Sequence, residues 1–92
     1  MSTATQFATR LVRSQSPEAE TITGYRRSAR HHKVRQGLLP PPIALGPRAT
    51  AFIASELEAI TAARAAGAGD DQIRDLVKQL VAARAGGITR AG

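Results

Sequence analysis

The stretch RRSARHHKVR, residues 26–35, decides how this chain reads. Seven of its ten residues are cationic or titratable: Arg26, Arg27, Arg30, His31, His32, Lys33 and Arg35. A turn signal, Thr23-Gly24-Tyr25, precedes it, and a proline hinge, Gly37-Leu38-Leu39-Pro40-Pro41-Pro42, follows. The spacing predicts a short basic helix over 27–36, closed by Gly37 as a left-handed cap. Its apolar residues are sparse: Ala29 and Val34, with Tyr25 before and Leu38 after. One narrow stripe packs and the rest is basic. Such a helix is marginal in isolation, so its neighbours must hold it.

Upstream, Ser16-Pro17-Glu18 reads as a helix start, with serine as cap, proline in the first turn and glutamate at the positive end of the dipole. Thr23-Gly24 stops this helix early. The preceding residues 1–15 are small, polar and arginine-bearing, with Phe7, Leu11 and Val12 as apolar anchors. They predict a mobile arm. Downstream, three prolines exclude helix interior and central strand. Ile43-Ala44-Leu45, Gly46-Pro47-Arg48 and Ala49–Ile53 then read as two short strands about a tight turn with Arg48 at its tip.

Ser55-Glu56-Leu57-Glu58 matches a capping box opening a helix to about Ala66, ended by Gly67-Ala68-Gly69. Asp70 or Asp71 caps a last helix to about Ala85. On it Ile73, Leu76, Val77, Leu80 and Val81 fall on one face at i, i+3, i+4, i+7 and i+8. That stripe either completes the core or pairs with a second copy. Residues 86–92 are expected to be a tail, leaving residues 16–85 as the folded domain.

Charge is segregated. Residues 1–48 hold eight Lys/Arg against two acids, and residues 49–92 hold five against five, so the whole net charge of +6 lies in the first half. One face is thus suited to a polyanion and the other is not. With 92 residues, the chain buries a little under two-thirds of its unfolded surface. The core is expected to be aliphatic and alanine-rich, with DNA or a second copy adding stability.

The sequence contains no cysteine, which excludes disulfides and thiolate metal sites. No apolar run approaches the ~20 residues of a membrane span, and the N-terminus lacks the apolar core of a secretory leader. The chain therefore reads as cytoplasmic, bacterial and nucleoid-associated. Catalysis has no constellation to rest on. His31 and His32 are adjacent, so on a helix they point about 100° apart and cannot share a ligand sphere. No enzyme activity, metal or cofactor is expected. A short helix, a glycine turn, a basic helix and a hairpin instead make a winged helix-turn-helix. In that arrangement the basic helix enters the major groove of double-stranded DNA. Arg27, Ser28 and His31 are the candidates for base readout, while Arg26, Arg30, His32, Lys33, Arg35 and the wing's Arg48 grip phosphate. The fold class is thus mainly α with a small β-hairpin: about four helices and a two-stranded wing.

The segments PEAETITG (17–24), YRRSARHHKVRQG (25–37) and LLPPPIALGPRA (38–49) resemble the AlpA-like family of phage and mobile-element regulators in the MerR-like superfamily. Gly24, Arg27, Ser28, Gly37, Pro40, Pro42, Leu45, Gly46, Pro47, Arg48 and Ala49 fall on the family pattern, and Ser55-Glu56-Leu57 on its next helix start. The resemblance spans about Ser16 to Ala63. Three departures stand out. Arg26 occupies the usual serine cap, a loss typically worth ~1 kcal/mol; Arg30 and Lys33 replace aliphatics; and His31 replaces an aromatic. They imply a more basic and less well anchored recognition helix.

The resemblance implies an excisionase, or recombination directionality factor, that binds near an attachment site in several copies, bends DNA and directs a tyrosine integrase towards excision. Small size and high charge favour that role. The alternative within the family is a transcriptional regulator of integrase or excision genes. From another class, an RNA- or protein-binding basic adaptor remains as the third reading.

Overall fold

A computed structural model describes residues 9–91, with side chains described to Arg84. The chain runs β1 (Leu11–Arg13), α1 (Pro17–Thr23), α2 (Arg27–Arg35), β2 (Ile43–Gly46), β3 (Ala49–Ile53), α3 (Ala54–Ala65) and α4 (Asp70–Ala91). Four helices and a three-stranded antiparallel sheet of order β1-β3-β2 form a winged helix fold.

The third strand corrects the expected mobile arm, of which residues 1–8 lie outside the described residues. Leu11, Val12 and Arg13 pair with Ile53, Phe52 and Ala51. Backbone bonds from Ser14 to the Thr50 carbonyl (3.0 Å) and from Ala54 to the Arg10 carbonyl (2.9 Å) extend the pairing at both ends. Its driving force is the Val12–Phe52 cross-strand pair, 2% and 4% exposed. Directly opposed apolar side chains of this kind stabilise a ladder.

The wing is the β2–β3 hairpin. Neither Pro47 nor Arg48 has a positive φ, so the turn is not one of the primed types that match strand twist. The register shifts between Ala44 and Gly46, and Leu45, the extra residue, stands out of the ladder and half-exposed.

Local chemistry sets the helix limits. Gly24, Gly37 and Gly67 end α1, α2 and α3 with φ of 78°, 78° and 96°. At α2 the Leu38 amide donates to the Lys33 carbonyl and the Gly37 amide to Val34, a Schellman closure that satisfies the last carbonyls. Ser16 begins α1 as expected, but its hydroxyl makes no capping bond and is buried without a partner. Ser55 is not a cap either. α3 starts two residues earlier than that cap implies, directly from β3, because the Arg10 carbonyl, just before β1, already accepts the Ala54 amide. Gly69, not an aspartate, precedes α4, and the Gln72 side chain reaches back to its amide (2.9 Å). α4 continues past Gly86-Gly87 to Ala91, over most of the expected tail. A glycine costs a helix about 1 kcal/mol, which weakens it without breaking the ladder.

The core joins Val12, Ala19, Leu38, Leu39, Phe52, Ala54, Leu57, Ile60, Ile73 and Val77. The leading residues of the proline hinge are thus interior: Leu39 is 1% exposed and Pro40 is fully buried. Ile73 and Val77 of α4 lie in this core, with Leu76, Leu80 and Val81 packed against it. α4 also ties down both ends of the segment between α2 and the wing. Arg74 Nε donates to the Gln36 carbonyl at the end of α2 (3.0 Å). Arg84 makes a two-pronged bond to buried Glu56 and donates to the Pro41 carbonyl (2.8 Å). The Glu56 hydrogen bond raises the Arg84 pKa above its ordinary value.

Candidate nucleic-acid interface

α1 and α2 are joined by three residues, Gly24-Tyr25-Arg26, the short glycine-bearing turn of a helix-turn-helix. Thr23 Oγ1 caps the Ala19 carbonyl (2.7 Å) and accepts the Tyr25 amide (3.1 Å), which fixes the turn. Arg26 begins α2 with no side-chain cap, as its residue type implies.

The seven cationic or titratable residues of this stretch do not act alike. Arg26, Arg27, His31, His32 and Arg35 are exposed, as is Ser28. Lys33 is half-buried, with Nζ 5.3 Å from the Tyr25 ring centroid, an attractive cation–π geometry. Arg30 departs from the expected phosphate contact. It is 3% exposed and turned inward, donating from Nη1 to the Tyr25 carbonyl (2.7 Å) and from Nη2 to the Ser14 carbonyl (2.9 Å). Burial pushes its pKa down from the ordinary arginine value. A guanidinium survives there because both carbonyls accept charge-assisted bonds. Arg30 therefore anchors α2, where a less well anchored helix was expected. The signal lay in the sequence: Arg30 stands four residues before Val34, on the same helical face.

An open cleft of about 550 Å³ lies between α2 and the sheet. Arg27, Ser28 and His31 line one side of it, with Ser14, Gln15 and Thr50 on the other and Phe52 and Val34 among the rest of its lining. The three residues expected to read bases therefore share one side of α2. A smaller cleft of about 90 Å³ carries Arg13 and Arg48 together with Ser14, Gln15 and Thr50. The last three are common to both clefts. Sequence reasoning missed Arg13, Ser14 and Gln15, which lay in the segment read as an arm.

Ion pairing separates the arginines of this face from the other described arginines. Among the described residues the pairs are Arg10 with Glu18 and Glu58, Arg64 with Asp70, Arg74 with Asp71 and Arg84 with Glu56. None involves Arg13, Arg26, Arg27, Lys33, Arg35 or Arg48. Carboxylates neutralise the scaffold arginines and leave the cations of α2 and the wing uncompensated. Among the described residues no group of His, Asp or Glu is placed to hold a metal ion, and no helix is long and apolar enough to cross a membrane.

A family model described as prophage CP4-57 regulatory protein (AlpA) matches residues 10–64. The chain belongs to the AlpA family. That is a regulatory, DNA-binding family and not one of enzymes. The match begins at β1 and ends within α3, so it takes in both clefts and leaves α4 outside. Comparison with curated proteins and with solved structures gave no match.

Proposed function

We propose that this AlpA-family protein binds double-stranded DNA with α2 in the major groove and the wing on the adjoining backbone, and that it serves a mobile element as a recombination directionality factor. The observation that carries the DNA reading is the uncompensated cation face: α2 and the wing hold no ion pair among the described residues. An α-helix with side chains is about 10–12 Å across, matching the ~12 Å major groove. Arg27, Ser28 and His31 share the cleft side of α2, and in this reading they meet base edges. Arg26, His32, Lys33, Arg35 and Arg48 supply charge for phosphates. Chemistry in this reading belongs to an integrase, and several copies lie side by side and bend the site.

A second reading is transcriptional control of integrase or excision genes. The description of the matched family as a regulatory protein favours it. Footprinting separates the two. Stepwise, regularly spaced protection beside an attachment site supports the directionality factor. One footprint over a promoter supports the regulator. Weak and equal binding to every duplex, falling steeply with salt, would refute sequence-preferring binding in both roles.

A further inference from the structure

The smaller cleft joins the wing's Arg48 to residues at the end of β1 that have no role assigned above. Its walls are Arg13 at the end of β1, Ser14 and Gln15 of the β1–α1 connection, Thr50 of β3 and Arg48 of the wing turn. Arg13 and Arg48 are both exposed and neither is ion-paired among the described residues. Two uncompensated guanidinium groups around one small polar cleft repel each other unless an anion lies between them. Guanidinium groups present a fork of donors that fits phosphate oxygens. The cleft is held in shape: Thr50 Oγ1 donates to Ser14 Oγ (2.8 Å), the Ser14 amide donates to the Thr50 carbonyl, and Arg30 fastens the Ser14 carbonyl to α2.

We infer that this cleft is a phosphodiester-binding site, with Arg13 and Arg48 gripping the backbone of the same DNA whose bases α2 meets. The inference rests on the DNA-binding reading and extends it to a strand that sequence reasoning left as a mobile arm. Ser14, Gln15 and Thr50 wall both clefts, so a backbone leaving α2 crosses them before it reaches the two arginines. The site reads no bases. Its contribution is register and affinity, the role of backbone contacts in general.

The test is a fluorescence-anisotropy titration of the full chain against two labelled duplexes, one from the attachment side of the element and one scrambled, over a series of salt concentrations. Arg13→Ala is expected to weaken binding to both duplexes by about tenfold, as for a charge-assisted bond. It should also lower the slope of log affinity against log salt by about 0.9, the value for one phosphate contact. Arg13→Lys should retain most of that slope. Lys78→Ala, an exposed cation of α4 that lines neither cleft, should match the unsubstituted protein. Arg13→Gln keeps the side-chain stem and replaces the alanine variant if that one melts early. An unchanged slope in both Arg13→Ala and Arg13→Gln overturns the site while leaving DNA binding intact. Equal losses in Arg13→Ala and Lys78→Ala overturn it too, by reducing the effect to net charge. A loss confined to the attachment-side duplex makes Arg13 a base reader. Failure of the unsubstituted protein to bind either duplex removes the DNA reading itself.

Discussion

Replacing Arg30 by methionine separates an anchoring arginine from a DNA-gripping one. Methionine keeps most of the stem volume and removes the guanidinium. Two bonds are lost, to the Tyr25 carbonyl at 2.7 Å and the Ser14 carbonyl at 2.9 Å. A hydrogen bond from a charged group contributes about 1.5–3 kcal/mol net. The desolvation that lowers the Arg30 pKa offsets part of that, and Ser14 lines an open cleft where water recovers more. The expected destabilisation is therefore about 2–4 kcal/mol, towards the low end of the simple sum. For a domain of this size each kcal/mol shifts the melting temperature by about 4–8 °C, so a drop of roughly 10–30 °C follows.

Thermal unfolding by circular dichroism measures that drop, and a salt-dependent DNA titration well below the melting temperature measures the other arm. If Arg30 is an anchor, the slope of log affinity against log salt is unchanged. If Arg30 grips phosphate, melting stays within a degree or two and the slope falls by about 0.9. The second pattern would refute the burial argument outright.

Four further outcomes are expected. Arg27→Ala should relax discrimination between target and scrambled duplexes by about 1–3 kcal/mol in competition titrations, while equal losses on both would make Arg27 a phosphate contact. Ile73→Ala empties a fully buried position at the α4 junction and should cost about 2–4 kcal/mol in urea unfolding. Glu56→Ala leaves Arg84 without its carboxylate on the inward face and should cost about 2–4 kcal/mol, lowering the urea midpoint at an unchanged m-value. The hydrogen bond from Arg64 holds the Asp70 carboxyl below its ordinary range. Its stabilising effect is thus complete above the unfolded-state pKa, about 3.9, and is lost as pH falls through the lower folded-state value. Asp70→Asn should melt below the unsubstituted protein at neutral pH, and the two curves should converge in strong acid.

The helix-turn-helix and its wing were legible because punctuation fixed them. Gly24, Gly37 and the proline run each permit few backbone conformations, and the segments between them are too short to be anything else. The face of α4 was legible from its 3.6-residue period, and whether it packed inward was not, since an apolar stripe is the same for a core and for a partner. β1 was missed because three residues carry too little alternation to register. Only its partner shows why it forms: Val12 meets Phe52 across the ladder, a contact separated by forty positions in the chain. The capping box at Ser55 misled for a related reason. A cap matters where amides are orphaned, and here the carbonyl of Arg10, just before β1, had already claimed the first of them.

Arg30 carries the more general lesson. In a stretch this basic, composition assigns every cation to the polyanion, but a helix has an inner face that must also be filled. The pattern Arg30–Val34 marks that face, and the resemblance sharpens the point by placing an aliphatic where Arg30 stands. The chain thus fills an apolar position with a long side chain whose stem packs and whose head finds two carbonyls. Its second carbonyl belongs to Ser14, which the wall common to the two clefts also contains. Ser14 is bonded in turn to Thr50 through both backbone and hydroxyl. One buried arginine therefore links α2 to the residue that follows β1, and two further bonds link that residue to β3 of the wing. The helix proposed to read bases is thus tied to the residue after β1 by one hydrogen bond, and that residue to the wing by two more. A change at Arg30 should then disturb specificity as well as stability, without its side chain touching DNA.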